Sequence, residues 1–142
     1  MYKIRRIIFS IFFILVIGSC SAQKSLSIKN QWARPGIKGN TSAAYFTIDN
    51  QTDIDDKLLS ADSDIAGSTE IHLSSMTDGK MTMQQQDFVE IPSKSTVKFE
   101  PMGLHVMFVD LVKDLSIGDQ FELKLFFEKS GVQTVNVTVK EQ

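Results

Sequence analysis

The chain has 142 residues, enough to build one domain around one apolar core. Its fifteen basic and seventeen acidic side chains leave no surplus of positive charge to follow a phosphate backbone, which argues against nucleic acid as a partner. A single cysteine, Cys20, rules out an internal disulfide framework, so apolar packing must hold the fold together.

Lys3, Arg5 and Arg6 form a basic start, and Ile7 to Ile17 is apolar apart from Ser10. This run is shorter than the roughly twenty apolar residues that span a bilayer, and it reads as a secretory signal. It ends in Ile17-Gly18-Ser19-Cys20, small residues leading into cysteine, which resembles a bacterial lipoprotein box. On that reading residues 1–20 are a lipoprotein-type signal peptide, Cys20 carries lipid, and residues 21–142 are a domain held at a membrane in the bacterial cell envelope, on the periplasmic side. The plainer alternative is an ordinary signal peptide with a chance cysteine. Without Lys3, Arg5 and Arg6, twelve basic residues face seventeen acidic ones, a net charge near −5.

The rest of the chain reads as short strands. Residues 43–48 alternate, with Ala44, Phe46 and Ile48 on one face and Tyr45 and Thr47 on the other. Further strands are expected over residues 57–61, 69–73, 80–84, 88–91, 96–100, 104–109, 120–127 and 134–140. The pattern is clearest in Phe121, Leu123, Leu125, Phe127 and in Val135, Val137, Val139, where apolar residues recur at every second position. Turn chemistry separates the runs at Thr77-Asp78-Gly79, Pro92-Ser93, Pro101-Met102-Gly103, Ile117-Gly118-Asp119 and Lys129-Ser130-Gly131. Trp32 and Arg34 are expected to anchor a first strand. With no long helical period, repeat or linker, these strands argue for a single-domain, all-β antiparallel sandwich.

The stretch from His72 to Met107 holds both histidines and five of the six methionines. His105 and Met107 point to the same side of an extended strand, and His72 and Met83 complete a set of two imidazoles and two thioethers if the fold brings them near. Thioether sulfur is a soft, neutral donor, so Met with His points to Cu(I). Zinc favours Cys, His or carboxylate, calcium and magnesium want hard oxygen, and blue-copper sites need a thiolate that the exported domain lacks. The residues also have ordinary readings: methionine is an adaptable core filler, and a histidine on an apolar strand is more often packed than ligating. Met76, Met81 and Met102 are read as packing residues, although Met81 shares strand parity with Met83 and could act as a reserve sulfur. Asp53, Asp55, Asp56, Asp62 and Asp64 lack the regular calcium-loop pattern and read as a solvated loop. Ser74 and Ser75 sit in no nucleophile motif, and nothing in the chain requires catalysis.

The spacing His72-x10-Met83-x21-His105-x-Met107 resembles the signature of the PCuAC family of periplasmic copper chaperones. Gly79-Lys80-Met81-Thr82-Met83, Val89-Glu90-Ile91-Pro92, Gly103-Leu104-His105-Val106-Met107 and Gln31-Trp32-Ala33-Arg34 are also similar to that family, so the likeness runs from about Trp32 to Val139. Leu73 departs from the methionine that many members carry after the first histidine. The resemblance implies a cupredoxin-like sandwich and a non-enzymatic protein that binds Cu(I) through His72, Met83, His105 and Met107. It further implies delivery to the copper centre of a terminal oxidase, with the copper-binding subunit of cytochrome c oxidase and other copper-assembly proteins as partners. Two other functions remain open: copper sequestration without a dedicated acceptor, and, more remotely, an adhesion sandwich in which His and Met only pack.

Overall fold

The computed structural model describes residues 24–141; the expected signal segment, residues 1–20 with Cys20, lies outside the described residues. Ten strands follow in chain order: β1 (Leu26–Ala33), β2 (Ser42–Asn50), β3 (Asp56–Asp62), β4 (Ala66–Thr77), β5 (Lys80–Gln85), β6 (Val89–Ile91), β7 (Ser95–Phe99), β8 (Leu104–Leu111), β9 (Gln120–Phe127) and β10 (Gly131–Val139). No described residue is helical. Each strand expected over residues 43–140 is present, and the first strand, expected only around Trp32, extends back to Leu26.

Hydrogen bonds join the strands in the order β5-β4-β8-β7-β2-β1-β10-β9-β3-β6, one sheet folded back on itself. Strand β2 makes the fold-over possible, because its start pairs with β8 at Ser42–Ala44 and its end pairs with β7 at Phe46–Asn50. Phe108 of β8 meets Phe121 of β9 edge to face, with centroids 5.4 Å apart. These strands are not neighbours in the sheet, so the contact spans the two layers of a sandwich. Ile48, Leu58, Val106, Leu123, Leu125 and Val137 fill the space between them. Most pairings are antiparallel, but β1 runs parallel to β10 through Trp32 and Ala33. Parallel neighbours need a long crossover, and almost the whole domain lies between these two strands.

Turn residues fix the registers that matter below. The β4–β5 hairpin closes through two residues, Asp78 at φ 49° and Gly79 at φ 73°. Positive φ at both positions is the signature of a type I′ turn, whose twist matches the flanking strands.

Candidate metal centre

Three adjacent strands set out the four candidate donors. In β8, Val106 and Phe108 are fully buried towards the core, so the alternation of the strand turns His105 and Met107 to the outer face. Strand β4 lies antiparallel to β8, with His72 directly opposite His105 and Glu70 opposite Met107. On its other side β4 pairs with β5, where Ser74 stands opposite Met83. Opposed residues share a face, so His72, Met83, His105 and Met107 all project from the same outer face. A one-residue slip of β5 would send Met83 to the other side, and the Asp78-Gly79 turn prevents it.

The two imidazoles stand 5.9 Å apart between centroids. His105 is buried although it lies on the outer face, because His72 flanks it on one side and the Tyr45 ring, at 6.4 Å, on the other. Each ring has one nitrogen engaged. His105 Nδ1 lies 3.0 Å from the Gly103 carbonyl oxygen and donates its proton there, which leaves the Nε2 lone pair free. His72 Nε2 lies 2.8 Å from Glu70 Oε2, so the carboxylate holds the proton on Nε2 and the lone pair resides on Nδ1. That Nδ1 is the one buried side-chain polar atom among the described residues without a hydrogen-bond partner. Buried polar atoms are rarely left unpaired without reason, and an orphaned imidazole lone pair fits a metal ion.

Electrostatics favours a neutral ring at His105. Burial pushes the His105 pKa below the ordinary histidine value; the Gly103 carbonyl opposes this shift, and the nearby charges of His72 and Arg34 reinforce it. A liganding imidazole must be unprotonated, and burial favours that form of His105. Glu70 is held below the usual carboxylate range by its hydrogen bond to His72, against a smaller opposing effect of burial.

Met83, His105 and Met107 line one cleft of about 230 Å³, together with Tyr45, Met81 and Met102. His72 does not line it and joins the group through its pairing with His105. Among the described residues no three His, Cys, Asp or Glu side chains converge. An ion held here must therefore draw on the thioethers, which suit a soft monovalent ion such as Cu(I).

Residues 26–139 match the family model described as "Putative lipoprotein LpqE-like". The chain is 33% identical over 123 residues to the Rickettsia prowazekii protein RP573, covering 83% of this chain and 68% of that one. The chain belongs to the LpqE-like family. Its fold is that of solved PCuAC domains. The copper-bound PCuAC domain from PmoF2 superposes with a TM-score of 0.69 at 27% identity, covering 83% of this chain and 94% of the other. The solution structure of CuI-DR1885 from Deinococcus radiodurans gives 0.62 at 26% identity, covering 86% and 84%. The cupredoxin-like, all-β expectation is met.

This LpqE-like domain also corrects parts of the sequence reading. Met76, Met81 and Met102, expected as packing residues, are all exposed, and Met81 and Met102 line the cleft. Asp56, expected in a solvated loop, is buried. Its carboxylate accepts hydrogen bonds from the backbone N–H groups of Lys57, Lys129 and Ser130 and from the Ser130 hydroxyl. Of its neighbours, Asp53 pairs with Lys24 and Lys94, and Asp55 accepts from the Ser93 N–H. Glu70 was not singled out from the sequence. Its one signal was position, two residues before His72 and so on the same strand face.

Proposed function

We propose that this protein is a metallochaperone of the bacterial cell envelope that holds Cu(I) through His72, Met83, His105 and Met107 and delivers it to the copper centre of a terminal oxidase. The observation that carries this reading is the strand register, which turns two imidazoles and two thioethers to one outer face. The likeness to a copper-bound PCuAC domain and to CuI-DR1885 supports copper as the cargo. His105 Nε2 and His72 Nδ1 offer the nitrogen lone pairs, while Gly103 and Glu70 fix the ring orientations. The thioethers bind without losing a proton, so capture and release by Met83 and Met107 need no acid or base. A partner's donors can reach the ion from the side of Met83, which is 56% exposed. Because no thiolate takes part, no disulfide chemistry accompanies the transfer, and the protein need not be an enzyme. Lipid on Cys20 would hold the domain at the membrane surface beside its acceptor; Cys20→Ser should then release the protein into the soluble periplasmic fraction.

The test is transfer. The Cu(I)-loaded protein is mixed with the copper-binding domain of a cytochrome c oxidase subunit from the same organism, with that domain's cysteines reduced, and the metal is followed by mass spectrometry. Delivery predicts that copper moves to the oxidase domain. Copper that stays put, with lowered copper tolerance and intact oxidase activity in a deletion strain, would replace delivery by sequestration.

A further inference from the structure

Methionine is normally an adaptable filler of apolar cores, yet none of the five methionines among the described residues belongs to the buried core. Met76, Met81, Met83 and Met102 are between 45% and 62% exposed. They are also gathered in one place. Met76 stands directly opposite Met81 across the β4–β5 hairpin, and Ser74, two residues before Met76 on the same face, stands opposite Met83. The Ser74 N–H donates to the Gly103 carbonyl at 3.0 Å, which fastens the turn carrying Met102 against β4 beside that pair. Met81, Met83 and Met102 then line the same cleft as His105 and Met107. Met102 itself sits at φ 71°, a conformation suited to Gly or Asn, so turn geometry does not account for its side chain. Strand β5 is an edge strand exposed at every position. Neither packing nor backbone explains these sulfurs, and together they run from the hairpin tip to the buried imidazole.

We propose that Met76, Met81 and Met102 form an outer thioether station for a soft monovalent ion, through which Cu(I) enters and leaves the inner donors. This rests on the reading of His72, Met83, His105 and Met107 as the inner site. At each step one copper–ligand bond forms as another breaks: sulfur replaces sulfur along the outer methionines, and imidazole nitrogen replaces sulfur on entry to the inner donors. The oxidation state does not change, and no proton moves because thioethers carry none. Met83 belongs to both sets and is the point of exchange. Sites built from a few neutral thioethers bind weakly and exchange quickly, as a relay requires.

The test uses the protein labelled with carbon-13 at the methionine methyl groups, titrated with Ag(I) as a redox-stable stand-in and then anaerobically with Cu(I). The first equivalent should shift the Met83 and Met107 methyls and both histidine rings. Further metal should shift the Met76, Met81 and Met102 methyls in fast exchange. The combined variant Met76→Leu, Met81→Leu, Met102→Leu changes only exposed positions and conserves volume. It should keep the affinity for the first equivalent while losing copper to an excess of chelator about tenfold more slowly. Outer methyls that stay still through several equivalents, or an unchanged exchange rate in the variant, overturn the station. If the histidine rings and the Met107 methyl ignore the first equivalent while the outer methyls respond, the inner-site reading fails and overturns the relay with it, leaving only metal binding at the outer methionines.

Discussion

His72 and His105 face each other directly across β4 and β8, and each ring has one nitrogen held by oxygen, from Glu70 Oε2 at 2.8 Å and the Gly103 carbonyl at 3.0 Å. The backbone carbonyl cannot be removed by substitution, but the carboxylate can. Glu70→Ala should weaken Cu(I) binding by about 10- to 100-fold, the usual cost of losing such an outer partner, and Glu70→Gln by less. Glu70 lies on the outer face, so the thermal unfolding of the metal-free protein should barely change. Chelator competition beside a melting curve checks both; a loss of stability equal to the loss of affinity would make Glu70 merely structural.

The Asp78-Gly79 turn should matter to binding more than to folding. Gly79→Val places a β-branched residue at φ 73° and should strain the turn by about 1–2 kcal/mol. Because β5 is an exposed edge strand, the cost should fall on the hairpin alone. Amide hydrogen exchange should quicken in β5 and stay slow in β9 and β10, while Cu(I) affinity drops about tenfold as Met83 loses its place. Uniformly faster exchange would contradict this local role.

Asp56 ties the loop of Lys129 and Ser130 to the start of β3. Burial alone would raise its pKa, but the hydrogen bonds from Ser130, Lys129 and Lys57 outweigh it and hold the carboxyl below its ordinary value. The unfolded chain therefore binds this proton more tightly than the folded one. The contribution of Asp56 is full above the unfolded value of about 3.9 and is lost as the pH falls through the folded value. Asp56→Ala should cost about 1–3 kcal/mol at neutral pH, since it takes the acceptor away from the part-buried N–H groups of Lys57, Lys129 and Ser130. Urea unfolding at a series of pH values should show a shallower acid limb for the variant than for the parent chain.

Trp32 offers a built-in reporter. Its ring lies 4.6 Å from Tyr45, which in turn lies 6.4 Å from His105. Filling the site should change Trp32 emission until one equivalent of Cu(I) is bound and no further. Trp32→Phe should erase the signal and leave the affinity intact, as measured by chelator competition.

How much of this was readable in the chain depended on how local the cause was. Strands β9 and β10 announce themselves because Phe121, Leu123, Leu125 and Phe127, and then Val135, Val137 and Val139, recur at every second position. Strand β1 does not: Asn30 at φ 57° and a bulge between Lys29 and Trp32 break the period of two. The four candidate donors stood out through their spacing, and strand parity paired His105 with Met107. That His72 opposes His105 could not be read, because it depends on strands more than thirty residues apart coming into register. Asp56 looked like its acidic neighbours because its partners, Lys129 and Ser130, lie over seventy residues away. The exposure of Met76 and Met81 follows from the assembled β4–β5 hairpin at the sheet edge, which no local pattern in the chain reveals.

The most direct test of the central claim is the Cu(I) X-ray absorption spectrum of the loaded protein, recorded for the parent chain and for Met107→Ala. Four donors from His72, Met83, His105 and Met107 predict one bound copper with both nitrogen and sulfur neighbours, and a sulfur contribution reduced by Met107→Ala. A spectrum without sulfur, or one that Met107→Ala leaves unchanged, would contradict the account.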